Sequence, residues 1–386
     1  MVFKWLIRFL AYLGGMLMLL IALAYITGYS YLIKGVRLSY LSGHKSANIY
    51  DGNDFDTRKV ANSNYVSALP QSYRFNKVPL SQALVNMLQK TQTTSFLVYK
   101  NDSLVSEFYY LGHNDTTKSN SFSMAKSITT LLVQQAIQSG KIPGWDTKVN
   151  TYLPWIKGTY ANELTLHHLS TMTAGLDWNE SYVNPLSITA RLYYGDDVVK
   201  TLQKVSVVNK PGQNYIYQSG ATQLLGLCLS KAVGMSVSEF ASAQLWQNLG
   251  AEMPATWHTD HEAGNELTYC CFNAISRDFV RLGATLLHHG KSLKNEQLVD
   301  SSFIALATQK NKVAWYGKSF WVGKSAGQDW FMMHGTQGQF IIVIPKSQLV
   351  IVRTGHKTEK DPKSKIPACA QLYADETVQL FGLSSK

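Results

Sequence analysis

Acidic residues are scarce in this chain and absent from its first 50 positions, although the whole sequence holds 25 Asp and Glu. Against them stand 36 Lys and Arg, a formal net charge of +11. Lys4, Arg8, Lys34, Arg37 and Lys45 supply nearly half of that excess and flank one apolar segment, as suits anionic lipid headgroups. The other basic residues are scattered singly, with no basic helix face or aromatic-basic stripe, which argues against nucleic acid as a partner. Cysteine is also sparse: Cys228, Cys270, Cys271 and Cys369. None forms a CxxC pair, and the adjacent Cys270-Cys271 lacks metal-ligand spacing. An oxidising compartment would permit one disulfide, whose pairing the sequence leaves open; Cys228 falls in an apolar helical pattern and is read as buried. There is no phosphate-cradling glycine loop, no dinucleotide fingerprint and no G-x-S-x-G elbow. His167-His168 and His288-His289 are adjacent pairs that point to different helix faces, without a His-x₃-His partner. Neither metal nor cofactor is expected.

What is present begins with about 25 uncharged residues, 9 to 33. At ~1.5 Å per residue they span a ~30 Å hydrocarbon core, and Tyr25, Tyr29 and Tyr31 suit an interfacial aromatic belt. Two readings stand: an uncleaved N-terminal anchor over 1–40, or a signal peptide cut near Ala22-Leu23-Ala24. Either places the body beyond the membrane, in the periplasm or cell exterior. Residues 41–75, rich in Ser, Asn and Asp, read as a linker, and 76–386 as one catalytic domain. Two β-rich runs, 94–99 and 104–110, form a hairpin pattern. Amphipathic helices are predicted over 127–139, 221–233 and 275–289, each closed by Gly. Strands return at 319–323, 330–334, 340–344 and 349–354. An α+β domain follows, in which N-terminal and C-terminal strands pair into one antiparallel sheet with helices inserted between them.

The chemistry centres on Ser123-Met124-Ala125-Lys126, at the mouth of a helix. Residues three apart share a helix face. A serine hydroxyl needs a neighbouring base; lysine serves only if its pKa of ~10.4 falls, and burial and the positive helix end both push it down. Spacing alone is weak, because Ser42-Gly43-His44-Lys45 has it too.

The surrounding segments decide. Ser121-Phe122-Ser123-Met124-Ala125-Lys126-Ser127 is followed by Leu166-His167-His168-Leu169, Tyr217-Gln218-Ser219, Leu245-Trp246-Gln247-Asn248-Leu249-Gly250, Ser276-Arg277-Asp278-Phe279 and His334-Gly335-Thr336-Gln337-Gly338. In order and spacing these resemble the serine β-lactamase and penicillin-binding-protein superfamily, nearest to class C β-lactamase-like esterases and 6-aminohexanoate-dimer hydrolases. The resemblance covers about 95–355 and implies the β-lactamase/transpeptidase-like fold. It implies Ser123 as acylated nucleophile, Lys126 as proton acceptor and Tyr217 as proton shuttle, a phenolate sustained by the Lys126 ammonium. Ser219 stands where class C enzymes carry Asn and would orient Lys126 or substrate. His334-Gly335-Thr336 replaces Lys-Thr-Gly; Gly335 would let a strand approach the substrate, and the Thr336 N–H would join that of Ser123 in an oxyanion hole. The missing lysine favours an ester or amide substrate over a β-lactam, with His334 either functional or structural. Tyr182 matches a tyrosine near the substrate in nylon-oligomer hydrolases, while Asp177-Trp178 reads as loop packing. A β-lactamase or cell-wall D-Ala carboxypeptidase, and a non-catalytic scaffold, are the rival readings.

Overall fold

The structure, a computed structural model, describes residues 2–39, 41, 43 and 47–382. The second Ser-x-x-Lys, with Ser42, His44 and Lys45, lies outside the described residues. Helix α1 (Val2–Ile26) has no buried residue and is long and apolar enough to cross a bilayer. The apolar run 9–33 is not one helix, however. It breaks where Gly28 adopts a left-handed φ of +74° and the Thr27 hydroxyl donates back to the Leu23 carbonyl at 2.7 Å. Helix α2 (Tyr31–Leu38) then turns onto the body, with Tyr31 and Leu38 buried.

A six-stranded antiparallel sheet forms the centre, built from β2 (Thr93–Lys100), β3 (Ser103–Tyr109), β7 (Trp321–Ser325), β8 (Gln328–Gly335), β9 (Gln339–Ile344) and β10 (Leu349–Gly355) in the order β3-β2-β10-β9-β8-β7. N-terminal and C-terminal strands thus pair as expected, in register from Lys100 opposite Leu349 to Phe96 opposite Arg353. Asn101 and Asp102 both take positive φ, the conformation that closes a tight hairpin with the right twist. Central strands are buried on both faces because alternate residues enter two cores. Leu97 and Tyr99 join the larger core beside the inserted helices. Phe96 and Val98 pack outward against helices α3 (Gln82–Lys90) and α13 (Ala368–Thr377).

The segment read as a linker is partly built into the body. Its residues Thr57–Val60 form β1, which pairs with β5 (Ala255–His258); with β6 (Phe272–Ile275) and β4 (Lys118–Asn120) they make a second sheet, β1-β5-β6-β4. Ile49, Asp51, Phe55 and Val60 are buried. These strands of three or four residues are too short to leave a clear alternation.

The inserted helices are α4 (Met124–Gln138), the short α5 (Leu166–Ser170), α6 (Ile188–Tyr194), α7 (Val198–Leu202), α8 (Ser219–Val233), and α9 (Val237–Ala241) joined through a π-helical turn to α10 (Gln247–Leu249). Helices α11 (Ser276–Leu287) and α12 (Ser301–Ala307) complete the body, α11 lying across β10 and β9. The helix predicted as amphipathic over 127–139 is instead buried almost all round. Its polar side chains bond internally: Thr129 donates to the Thr268 carbonyl, Thr130 to Ser319 and Gln135 to the Gln244 carbonyl. Such a helix in the middle of a large core anchors the Ser121–Ser123 turn that precedes it.

Candidate active site

Strand β4 delivers the chain to a tight turn at Ser121–Ser123, the entry to α4. Phe122 sits there at φ +44°, a left-handed conformation that costs a bulky residue about 1–2 kcal/mol. Its N–H donates to the Asn120 side chain at 2.8 Å, and its own side chain is buried. The Met124, Ala125 and Lys126 N–H groups bond the carbonyls of Ser121, Phe122 and Ser123. Among the described residues no acceptor is bonded to the Ser123 N–H.

One helical turn on, Lys126 is 1% exposed. Its ammonium donates to Ser123 Oγ at 3.0 Å, Ser219 Oγ at 3.2 Å and the Tyr269 carbonyl at 2.9 Å. Three donors meet three acceptors. Burial holds its pKa down to about 8, with the Glu180 charge pulling the other way.

Tyr217 and Ser219 reach the same point because Gln218, between them, is extended (φ −139°, ψ 112°), and residues two apart on extended chain face one side. Gln218 turns away to donate to the Leu176 and Trp178 carbonyls. The Tyr217 hydroxyl is turned toward Ser123, and its ring lies 5.0 Å from the Lys126 ammonium. Burial, however, drives that hydroxyl well above the usual phenol range, and the Glu180 charge adds to the rise. The phenolate that the resemblance implies is opposed here by burial, which favours the neutral phenol.

Glu180 is the residue that sequence reasoning missed. Its carboxylate accepts from the Ser219 hydroxyl at 2.6 Å, the Ser219 N–H at 2.8 Å, Trp178 Nε1 at 2.6 Å and the Tyr182 hydroxyl at 2.5 Å. The signal was modest: it is the lone acid between Asp177 and Asp196, two residues before Tyr182. Trp178 is buried over α8, where a side chain on Gly220 would meet its ring at 2.6 Å. Asp177 accepts from the Ser206 N–H, which agrees with loop packing.

The end of β8 completes the group. Gly335 lies against the nucleophile turn so closely that a Cβ would come within 2.1 Å of the Ser121 carbonyl oxygen. Close approach, rather than unusual backbone angles, demands glycine here. Thr336 is exposed and lines the same cavity as Ser123, Ser219 and Tyr182. His334 does not line it. Its ring stacks with Phe340 at 5.1 Å and meets Trp321 edge-on at 5.3 Å. Burial and the Lys126 charge lower its pKa to about 4, so near neutral pH it carries no charge that could replace the family lysine. Cys270 and Cys271, whose pairing the sequence leaves open, form a disulfide between neighbours, with Cys270 at the cavity wall, while Cys228 and Cys369 are buried thiols.

With this geometry in place, comparison with known proteins is informative. The beta-lactamase family profile matches residues 80–373, most of the chain. The chain belongs to the beta-lactamase family. This beta-lactamase-family chain is 25% identical over 217 residues to the 6-aminohexanoate-dimer hydrolase of Paenarthrobacter ureafaciens, covering 54% of itself and 55% of that protein. It thus spans about half the length of this curated relative. Among solved structures, the assigned 6-aminohexanoate-dimer hydrolase of Bacillus anthracis superposes with a TM-score of 0.72 at 23% identity, covering 80% of this chain and 87% of that one. A class C beta-lactamase mutant gives 0.59 at 16%, covering 80% and 99%. These structural likenesses establish the β-lactamase/transpeptidase-like fold.

Proposed function

We propose that this chain cleaves an ester or amide through an acyl-enzyme on Ser123, in a catalytic body tethered to a membrane by α1 and facing the periplasm or cell exterior. The observation that carries the proposal is the buried Lys126 amine, 3.0 Å from Ser123 Oγ and with its pKa lowered to about 8. As free base, Lys126 takes the hydroxyl proton while Ser123 Oγ attacks the substrate carbonyl carbon. The Ser123 and Thr336 N–H groups receive the oxyanion. Neutral Tyr217 relays the proton to the departing alcohol or amine, and water then releases the acid by the reverse path. Glu180 acts through others: it fixes Ser219 and Tyr182 and sets the charge balance around Lys126. Ser219 orients Lys126, and Tyr182 borders the bound substrate. His334, neutral and stacked, takes a structural part.

Fluorophosphonate labelling of the full chain, lost in Ser123→Ala, tests the nucleophile. A well-folded wild type that takes no label would favour a non-catalytic scaffold. Comparing a short p-nitrophenyl ester with a chromogenic cephalosporin tests the substrate class, and faster cephalosporin turnover would favour a β-lactamase or carboxypeptidase.

A further inference from the structure

The cavity beside Ser123, about 190 Å³, has an unusual wall. One side comes from α2, through Tyr31, Leu32 and Val36, and the facing side from the loop that carries Val183 and Pro185. No described lining residue is charged. A wall whose described side chains include no cation disfavours a substrate carboxylate, whose desolvation they would leave uncompensated, and accepts apolar chain.

Its position relative to the membrane is set by the chain itself. Only residues 27–30 separate α1 from α2, so at ~3.5 Å per step the two helix ends are at most about 18 Å apart along the backbone. That connection is clamped. Arg191 of α6 donates to the Gly28 carbonyl at 2.6 Å and lies over the rings of Tyr29 and Tyr31 at 4.8 and 4.7 Å. Ser39, just past α2, hydrogen-bonds the Tyr194 hydroxyl at 2.9 Å. The cavity exposes apolar side chains at its mouth: Val36 and Val183 are 46% and 93% exposed. An uncovered apolar rim held this close to a membrane helix is a surface that lipid would cover.

We infer that the substrate is a membrane amphiphile, a carboxylic ester or amide whose long apolar acyl chain enters this cavity from the bilayer. The inference rests on the serine-hydrolase reading above. The acyl side is assigned because Ser123 and Thr336 line the cavity whereas Tyr217, which protonates the leaving group, does not. Ser123 Oγ bonds to the acyl carbon as the bond to the alcohol oxygen or amine nitrogen breaks. The serine proton, carried by Lys126 and Tyr217, goes to the leaving group. Water then gives the free fatty acid and restores Ser123.

The test uses the full chain in phosphatidylcholine vesicles with p-nitrophenyl esters from acetate to laurate. The expected kcat/KM rises at least thirtyfold along the series, and intact mass shows a lauroyl adduct that Ser123→Ala lacks. In Val36→Asp and Val183→Asp, both at exposed positions, the laurate-to-acetate ratio falls at least tenfold. A flat series with Ser123-dependent acetate hydrolysis would overturn the amphiphile inference and leave the serine hydrolase standing. A rise undiminished in both Asp variants would reflect partitioning into vesicles and overturn the assignment of this cavity. Wild type that hydrolyses no ester and takes no fluorophosphonate would overturn both readings.

Discussion

Lys126 shows how one buried amine is made useful. Water withheld from it disfavours the ammonium, Glu180 partly restores it, and the balance settles at about 8. A base must be neutral to accept a proton, so kcat/KM is expected to climb tenfold per pH unit below 8 and to level off above it. His334, already neutral above about 4, and Tyr217, displaced upward, add no inflection near neutrality. Glu180→Gln removes the charge that raises the Lys126 pKa, so the rising limb should move to lower pH; an unmoved limb in a pH–rate series would refute that coupling. Ser123 and Lys126 were legible in the sequence because their relation is local, one helical turn. Tyr217 and Ser219 were legible from ordered motifs. Glu180 was not, because its role is visible only when the 178–182 loop meets the start of α8, some 40 residues away. The upward push on the Tyr217 pKa was out of reach for a related reason: a nearby cation can be read from a motif, but the extent of desolvation cannot.

At the level of elements, the site depends on β8 lying flush against the nucleophile turn. Gly335→Ala places a carbon where only the Ser121 carbonyl oxygen fits. Strand and turn must separate, and with them the Thr336 N–H. Loss of one such donor costs ~10²–10³ in kcat, and steady-state kinetics on folded protein should show a fall of that size. The turn after β8 is pinned from behind by Arg353, buried in β10, which donates to the carbonyls of Thr91, Gln337, Gly338 and Lys357 and to the Thr93 hydroxyl. Lysine cannot reproduce that planar fork. Arg353→Lys is expected to lower stability by about 2–4 kcal/mol, as buried carbonyls lose their partners, measured as a shifted denaturant midpoint. The pairing of early and late strands followed from β-rich runs at the two ends of the domain. Helix α4 was placed correctly but taken for amphipathic. Its Thr and Gln side chains look solvent-facing in sequence and are in fact bonded to segments more than 100 residues away.

For the whole molecule, α1 and the body are separable in energy, since α1 buries nothing against the rest. Removing residues 2–26 should leave the thermal midpoint of the body unchanged while abolishing co-sedimentation with vesicles; a lower midpoint would show that α1 supports the fold. The boundary drawn from sequence at 76 misjudged what the body contains, because residues 41–75 have a linker's composition and scattered apolar anchors. Strand β1 gives that segment its weight. It caps one side of β5 over four residue pairs, from Thr57 opposite His258 to Val60 opposite Ala255. A chain begun at residue 80, where the family match starts, would lay bare that row of backbone donors and acceptors. Open edges of this kind recruit other strands. Such a truncation should self-associate in size-exclusion chromatography even with every residue of the active-site group in place.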